Sequence, residues 1–358
     1  MQADMKKFPR EIFSGYHGNC HCQGIALDPV NGYIYYSFTT LLVKTDLDGR
    51  LIGTVDGLTG HLGCIDFCEA DGRVYGSLEY KNDVIGNGIR RNLGIAGNTE
   101  AAFYCAIFDV DRIDRIGMSA EKDGIMRTVY LGEVVEDFCA TAHVNGEERL
   151  HRYGCSGIDG TAFGPLCGSA DGKEYLHIAY GIYSETNRTD NDYQVILAFD
   201  ASGWWETYAQ PLNQENLHMS GPVCCENKFF VYTGNTNFGI QNLEYDAYTG
   251  NYLAAVYCGE KPCFPNLPMY VIDGSIPPRA SCHRITGEPI TELSLLKAGV
   301  GEGEIFGNNF PHGSTGIYAF GNGYYYFSQP GHNENGQYTA VHLYKYTGNP
   351  QDPFEPVL

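Results

Sequence analysis

Long apolar runs are missing from this chain. No stretch approaches the ~18 consecutive apolar residues that a membrane-spanning helix needs. The opening MQADMKKFPREIF holds no apolar segment of the kind that directs secretion. A cytoplasmic location is therefore expected, with no membrane partner. Basic residues are also scarce: 23 Lys and Arg stand against 43 Asp and Glu, a formal charge of −20. Such a surface repels phosphate backbones and anionic lipid, which argues against nucleic acid as a partner.

Several chemical motifs are absent too. There is no Walker loop, no HExxH and no GxSxG, so phosphate cradling by a P-loop, zincin-type proteolysis and a nucleophile elbow are not signalled. The Gly-rich GNGIRRNLGIAGN does not follow the strand–turn–helix order that a phosphate cradle requires. Thirteen cysteines occur, yet CHC at Cys20–Cys22 and the pair Cys224–Cys225 do not make the C-x-x-C knuckles of a structural zinc site. Free buried thiols in a reducing compartment account for them. Helical periodicity is nearly absent as well; SLLKAG is too short to change the class.

What remains is rich in tyrosine (27) and glycine (45), with 43% hydrophobic and only 18% charged residues. That mixture suits short strands joined by tight turns around a sizeable core. The strands come in rounds of four. GIALDP, GYIYYSFTT, LLVKTDLDG and RLIGTVDG form the first round, each bounded by Gly, Asp or Asn. Later rounds open at GCIDFCEADG, GIDGTAFGP, GPVCCEN and STGIYAFGNG. Units of four strands, each opening on a small-residue strand, predict an all-β five-bladed β-propeller occupying residues 1–358 as one domain. The expected blades are roughly 20–58, 59–142, 154–212, 219–297 and 313–348. Insertions, notably 81–101, lengthen the average unit to about 72 residues. The fifth unit lacks a fourth strand, and the stretch 8–15 supplies one, so an N-terminal strand is expected to complete the last blade and remove an open sheet edge.

In such a ring, the loops entering the innermost strands and leaving the second strands share one face around the axis. Histidines recur at the first kind of loop: His21, His61, His218 and His312, with His151 near the matching place in the third unit. Imidazoles on separate rigid strands suit a first-row divalent ion, with Gln23 adding an oxygen. The expected cofactor is thus a divalent metal (Mn, Zn or Ca) held by His21, Gln23, His61, His218 and His312. A metal-free, His-lined site and simple strand capping are the alternatives. The second set of loops carries Glu79, Tyr80, Lys81 and Asp83; Glu185, Arg188, Asp190 and Asp192; Asn235 and Gln241; and Gln329 and His332. Converging polar and aromatic groups describe a site for a small, oxygen-rich substrate. Glu79 or Lys81 would move the proton, Arg188 would clamp an anionic group, and Asp159 would serve as base or replace the missing histidine. Tyr80, Asp83, Asn235, Gln241 and His332 would bind substrate.

The five-unit pattern resembles the five-bladed propeller enzymes, which include furanosidase-like glycoside hydrolases, calcium-dependent nucleotidases and glutaminyl cyclotransferases. CQGIALDPVNGYIYYS, residues 22–37, is similar to the TQGL-type opening strand of the last family. The stretch that carries that family's downstream glutamate is replaced here by SFTT, which has none, so its activity is not carried over. A His-rich axial site with a glutamine also resembles in kind the manganese site of the seven-bladed oligogalacturonate lyases. The expected function is a metal-dependent lyase or hydrolase acting on a small carbohydrate-like or acidic sugar substrate. Two alternatives stand beside it: a non-catalytic binding or scaffolding propeller, and a metal-free glycosidase with paired carboxylates drawn from Glu79, Asp66 and Asp159.

Overall fold

A computed structural model describes residues 5–18 and 20–358. The short β-type runs do form strands, and these assemble into five blade sheets, with a separate two-stranded hairpin, Thr141–Val144 and Glu147–Leu150. Blade 1 orders Gly24–Asp28, Tyr33–Ser37, Leu42–Asp46 and Leu51–Asp56 from the centre outward. Blade 2 follows with His61–Cys68, Arg73–Tyr80, Ala102–Phe108 and Met126–Tyr130. Blade 3 uses Cys155–Gly164, Tyr175–Ile182, Tyr193–Phe199 and Asn227–Tyr232. Blade 4 comprises Thr236–Asp246, Asn251–Cys258, Met269–Ile272 and Ile305–Asn308, and blade 5 starts with Ile317–Ala319, Tyr324–Asn333 and Gly336–Tyr346.

These strands are apolar on both faces, and the core shows why. Tyr35 packs between blades 1 and 2, while the next residue, Tyr36, packs between blades 1 and 5. Ile196 and Leu197 divide in the same way between blades 3–4 and 2–3. Side chains alternate across a strand, so each sheet has two faces to bury and needs two neighbours. A fifth cluster, including Met269 and Phe327, joins blades 4 and 5. Five clusters fill the five gaps of a closed ring.

Closure is made by the N-terminal strand. Glu11–Phe13 pairs antiparallel with the third strand of blade 5, Ile12 opposite Val341, and Ile12 is fully buried. The C-terminal Phe354–Pro356 continues the same edge, with Lys345 opposite Glu355.

The blade boundaries depart from the sequence expectation after residue 200. The expected bounds 154–212 make WWETYAQPL the fourth strand of blade 3. Instead Gly203, in the left-handed region at φ 77°, starts a short helix, Trp204–Thr207, and buries Trp204 against Phe199. Gln210–Pro211 then extends the edge of blade 2. NKFFVY, assigned to blade 4, fills the vacant place in blade 3. Blade 4 consequently begins at Thr236 and not near residue 219. The hairpin Arg279–Cys282 and Pro289–Leu293 adds to the outer edge of blade 3.

The insertion after the second strand of blade 2 contains a helix, Val84–Asn92. Asp83 caps it by accepting from the Gly86 amide at 2.9 Å. Arg90 ties it down, donating to the Lys81 carbonyl at 3.0 Å and to Asn82 Oδ1 at 2.8 Å. No helix among the described residues is long and apolar enough to cross a membrane.

Candidate active site at the propeller hub

The inner strands do not run regularly to the hub. Register shifts interrupt blade 2 between Leu62 and Ile65, blade 3 between Ile158 and Thr161, and blade 4 between Ile240 and Asn242. A bulge re-aims the residues it contains, and here these include Asp159 and Gln241. Polar side chains stitch the hub between blades. Ser37 donates to the Gly63 carbonyl at 2.7 Å, and Asn242 Nδ2 donates to the carbonyls of Gln23 at 2.7 Å and Ser314 at 3.0 Å.

Above this layer lies a cavity of about 340 Å³ to which all five blades contribute. Blade 1 supplies Cys20, His21, Gln23 and Thr39, and blade 2 supplies His61, Glu79 and Lys81. Blade 3 gives Ser156, Ile158 and Asp159, blade 4 gives Phe238, Gln241 and Tyr257, and blade 5 gives Gln337. The volume is at the lower end of the ~300–1,000 Å³ range of small-molecule pockets.

Its charged floor is built from opposed strand ends. His61, first in the inner strand, sits in register with Glu79, at the end of the second. Glu79 Oε1 lies 2.5 Å from Lys81 Nζ and 3.5 Å from His61 Nδ1, and its Oε2 accepts from the Ile158 amide at 3.1 Å. Lys81 also donates to the Ser156 carbonyl at 2.6 Å and faces Asp83 at 3.4 Å. An ammonium has three protons, so Lys81 is fully engaged. Burial opposes every one of these charges and is the largest single influence on each, but the neighbours outweigh it. Glu79 is held below the usual carboxylate range by Lys81 and His61, and Lys81 is raised by Glu79 and Asp83. His61 is raised by Glu79 and Asp159.

Asp159 behaves oppositely. Burial pushes its carboxyl up to about 7, with Glu79 adding to the rise and His61 and Lys81 resisting it. Its Oδ1 receives only a long contact from the Cys64 amide, 3.3 Å. Two glycines make room for the two carboxyls. A methyl group at Gly63 would overlap Asp159 Oδ1, and one at Gly157, where φ is +132°, would overlap Glu79 Oε2. Neither glycine was singled out from sequence; their signal is the small-residue opening of each inner strand.

Of the residues expected at the site, His21, Gln23, His61, Glu79, Lys81, Asp159 and Gln241 share the cavity. The others do not. His218 accepts or donates at Thr128 Oγ1, 2.8 Å away on the outer strand of blade 2, and its carbonyl accepts from Tyr104. It was placed at the axis because NKFFVY was assigned to the wrong blade. His312 packs on Phe310 and Tyr344, away from the hub, and His332 is exposed on the long hairpin of blade 5. The five-ligand set therefore does not assemble, and no group of three His, Cys, Asp or Glu side chains suited to an ion occurs among the described residues.

Arg188 is no anion clamp. It is 1% exposed and spends its donors on Asp190 and on the carbonyls of Leu150 and His151. Tyr80 turns outward to Gln214 at 2.9 Å, Asp83 caps the inserted helix, and Asn235 is buried beside Glu260. Asp66 is half-buried between blades 2 and 3, accepting from the Phe67 and Phe163 amides, both at 2.7 Å. The cavity also has a wall absent from the sequence expectation, the helix Val84–Asn92.

No family model and no curated protein matches this sequence. Among solved structures, the chain is similar to the Dos1 propeller, at 8% identity over 97% of this chain and 85% of that one, with a TM-score of 0.32. It is also similar to a GH43 β-1,3-galactosidase solved with galactodeoxynojirimycin, at 12% identity over 94% and 95% of the two chains, with a TM-score of 0.41. The chain's own five blade sheets and the five clusters between them make it a five-bladed β-propeller.

Proposed function

We propose that the hub cavity is the active site of a glycoside hydrolase acting on a small carbohydrate-like substrate through two carboxyls of opposite protonation. The reading is carried by one observation: Glu79 and Asp159 line the same cavity, and their surroundings drive them in opposite directions. Such a pair divides the work of glycoside hydrolysis. Asp159, whose carboxyl burial keeps largely protonated below about pH 7, gives its proton to the leaving oxygen. Glu79, kept ionised by Lys81, faces the developing positive charge on the sugar or takes the proton of the attacking water. Lys81 and His61 act as positioning residues, fixing the charge and orientation of Glu79. Gln23, Thr39, Gln241 and Tyr257 offer the hydrogen-bonding groups that sugar hydroxyls need, and Phe238 offers an aromatic face.

The test is hydrolysis of a panel of nitrophenyl glycosides and short oligosaccharides by the wild type, Asp159→Asn and Glu79→Gln. The expected result is turnover of at least one sugar class, with kcat lowered about 10²–10⁴-fold in Asp159→Asn and circular dichroism unchanged. Turnover undiminished in Asp159→Asn, or no turnover of any member by the wild type, contradicts the reading.

A further inference from the structure

The inserted helix gives the hub an uneven lining. Its residues Val84, Ile85, Gly88, Ile89 and Asn92 face the cavity, at the spacing of a single helical face. No charged side chain lies on that face; Arg90 and Arg91 belong to other sides, Arg90 being held against the Lys81 carbonyl. An apolar helix face ordinarily rests on protein. Here Val84 is 87% exposed and Ile85 half-buried, while Ile89 is buried, so the first turn of this face is left open at the mouth of the cavity. Gly88 widens the gap further: a methyl group built there meets no atom within 4 Å. Ile158 and Phe238 extend the apolar lining on other walls, while Glu79, Lys81, His61 and Asp159 occupy the floor.

We infer that the helix Val84–Asn92 is a specificity element, and that the substrate carries an apolar or aromatic group beside its sugar-like part. The polar part lies on the charged floor, and the apolar part covers Val84 and Ile85 in the slot beside Gly88. This inference rests on the reading of the cavity as a carbohydrate site and names the aglycone side of the substrate. A polyhydroxylated ligand alone would leave the helix face wet; an amphipathic one desolvates it.

The probes are matched methyl and phenyl pyranosides of glucose, galactose and xylose, with phenol as the apolar part alone. Binding is followed by calorimetry and by methyl NMR of Val84, Ile85 and Ile89. A phenyl member is expected to bind at least about tenfold more tightly than its methyl partner, since even one methylene in an apolar pocket discriminates by roughly 10–200-fold. Phenol alone should shift the three methyl signals. Gly88→Phe fills the slot and should abolish the preference while leaving methyl-glycoside binding in place. Gly88→Ala is the control for folding, because alanine favours the helix and meets open space. Equal affinity for the methyl and phenyl members, a preference surviving in folded Gly88→Phe, or no binding of any probe overturns the inference. Phenyl preference without hydrolysis contradicts only the catalytic reading; hydrolysis without phenyl preference contradicts only this one.

Discussion

Two networks of buried charge occupy neighbouring parts of this molecule. At the hub, Glu79, Lys81, His61 and Asp159 surround a cavity. Beyond it, Arg188 pairs with Asp190 at 2.5 Å, and Lys261 pairs with Asp192 at 2.5 Å while also donating to Asn191 and to the Arg188 carbonyl. Both networks are buried and densely paired. The outer one is closed, because its guanidinium reaches two main-chain carbonyls as well as a carboxylate and does not line the hub cavity. The hub network is incomplete. Asp159 has one long contact and His61 Nδ1 has no well-aligned hydrogen bond. Buried charge by itself marks structure; a site is marked by buried charge with a group left over and space in front of it.

The largest expected effect separates the two networks by stability and activity. Arg188→Ala strands Asp190 without its partner and should cost about 3–5 kcal/mol, read by denaturant unfolding, with turnover per folded molecule unchanged. Lys81→Met strands Glu79 and should cost a similar amount but also suppress turnover. Equal losses of turnover in both variants would erase the distinction. Next comes Gly157→Ala, which combines a backbone conformation foreign to L-residues with overlap on Glu79. Its melting temperature should fall and the Glu79–Lys81 pair should be displaced, as a crystal structure of the variant would reveal. An unmoved Glu79 contradicts the role given to this glycine.

A further effect is a pH dependence. Asp159 titrates near 7 when folded and near ~3.9 when unfolded. A raised carboxyl pKa gives stability that is present at low pH and is lost as pH rises between those two values. Asp159→Asn lacks that loss. Its unfolding free energy relative to the wild type should therefore increase from pH 4 to pH 7 and then level off. A pH-independent difference would show that Asp159 ionises normally.

Much of the architecture was legible because it is written in local pattern. Strands apolar on both faces, such as GYIYYS, belong in a sheet sandwiched between two others, and a fifth unit short of one strand pointed to residues 8–15 as its completion. The frame slipped at WWETYAQ, where aromatic residues read as a strand although Gly203 turns the chain into a helix. That slip carried His218 to the axis on paper. The helix Val84–Asn92 escaped notice because Gly86, Asn87 and Gly88 weaken its periodicity, and its stability comes from the Asp83 cap and Arg90. Arg188 was misread for a different reason. The carbonyls that satisfy it belong to Leu150 and His151, some 37 residues away, and no local pattern announces such a partner. Glu79, Lys81, His61 and Asp159 were found because strand ends around a closed ring must meet at its hub.

The most direct test is a titration of the Asp159 carboxyl by difference infrared spectroscopy between wild type and Asp159→Asn, at equal concentration from pH 4 to pH 9. A protonated-carboxyl band specific to the wild type and fading around pH 7 is the predicted result. A band that has already vanished by pH 5 would place two ionised carboxylates at the hub and contradict the division of labour between Asp159 and Glu79.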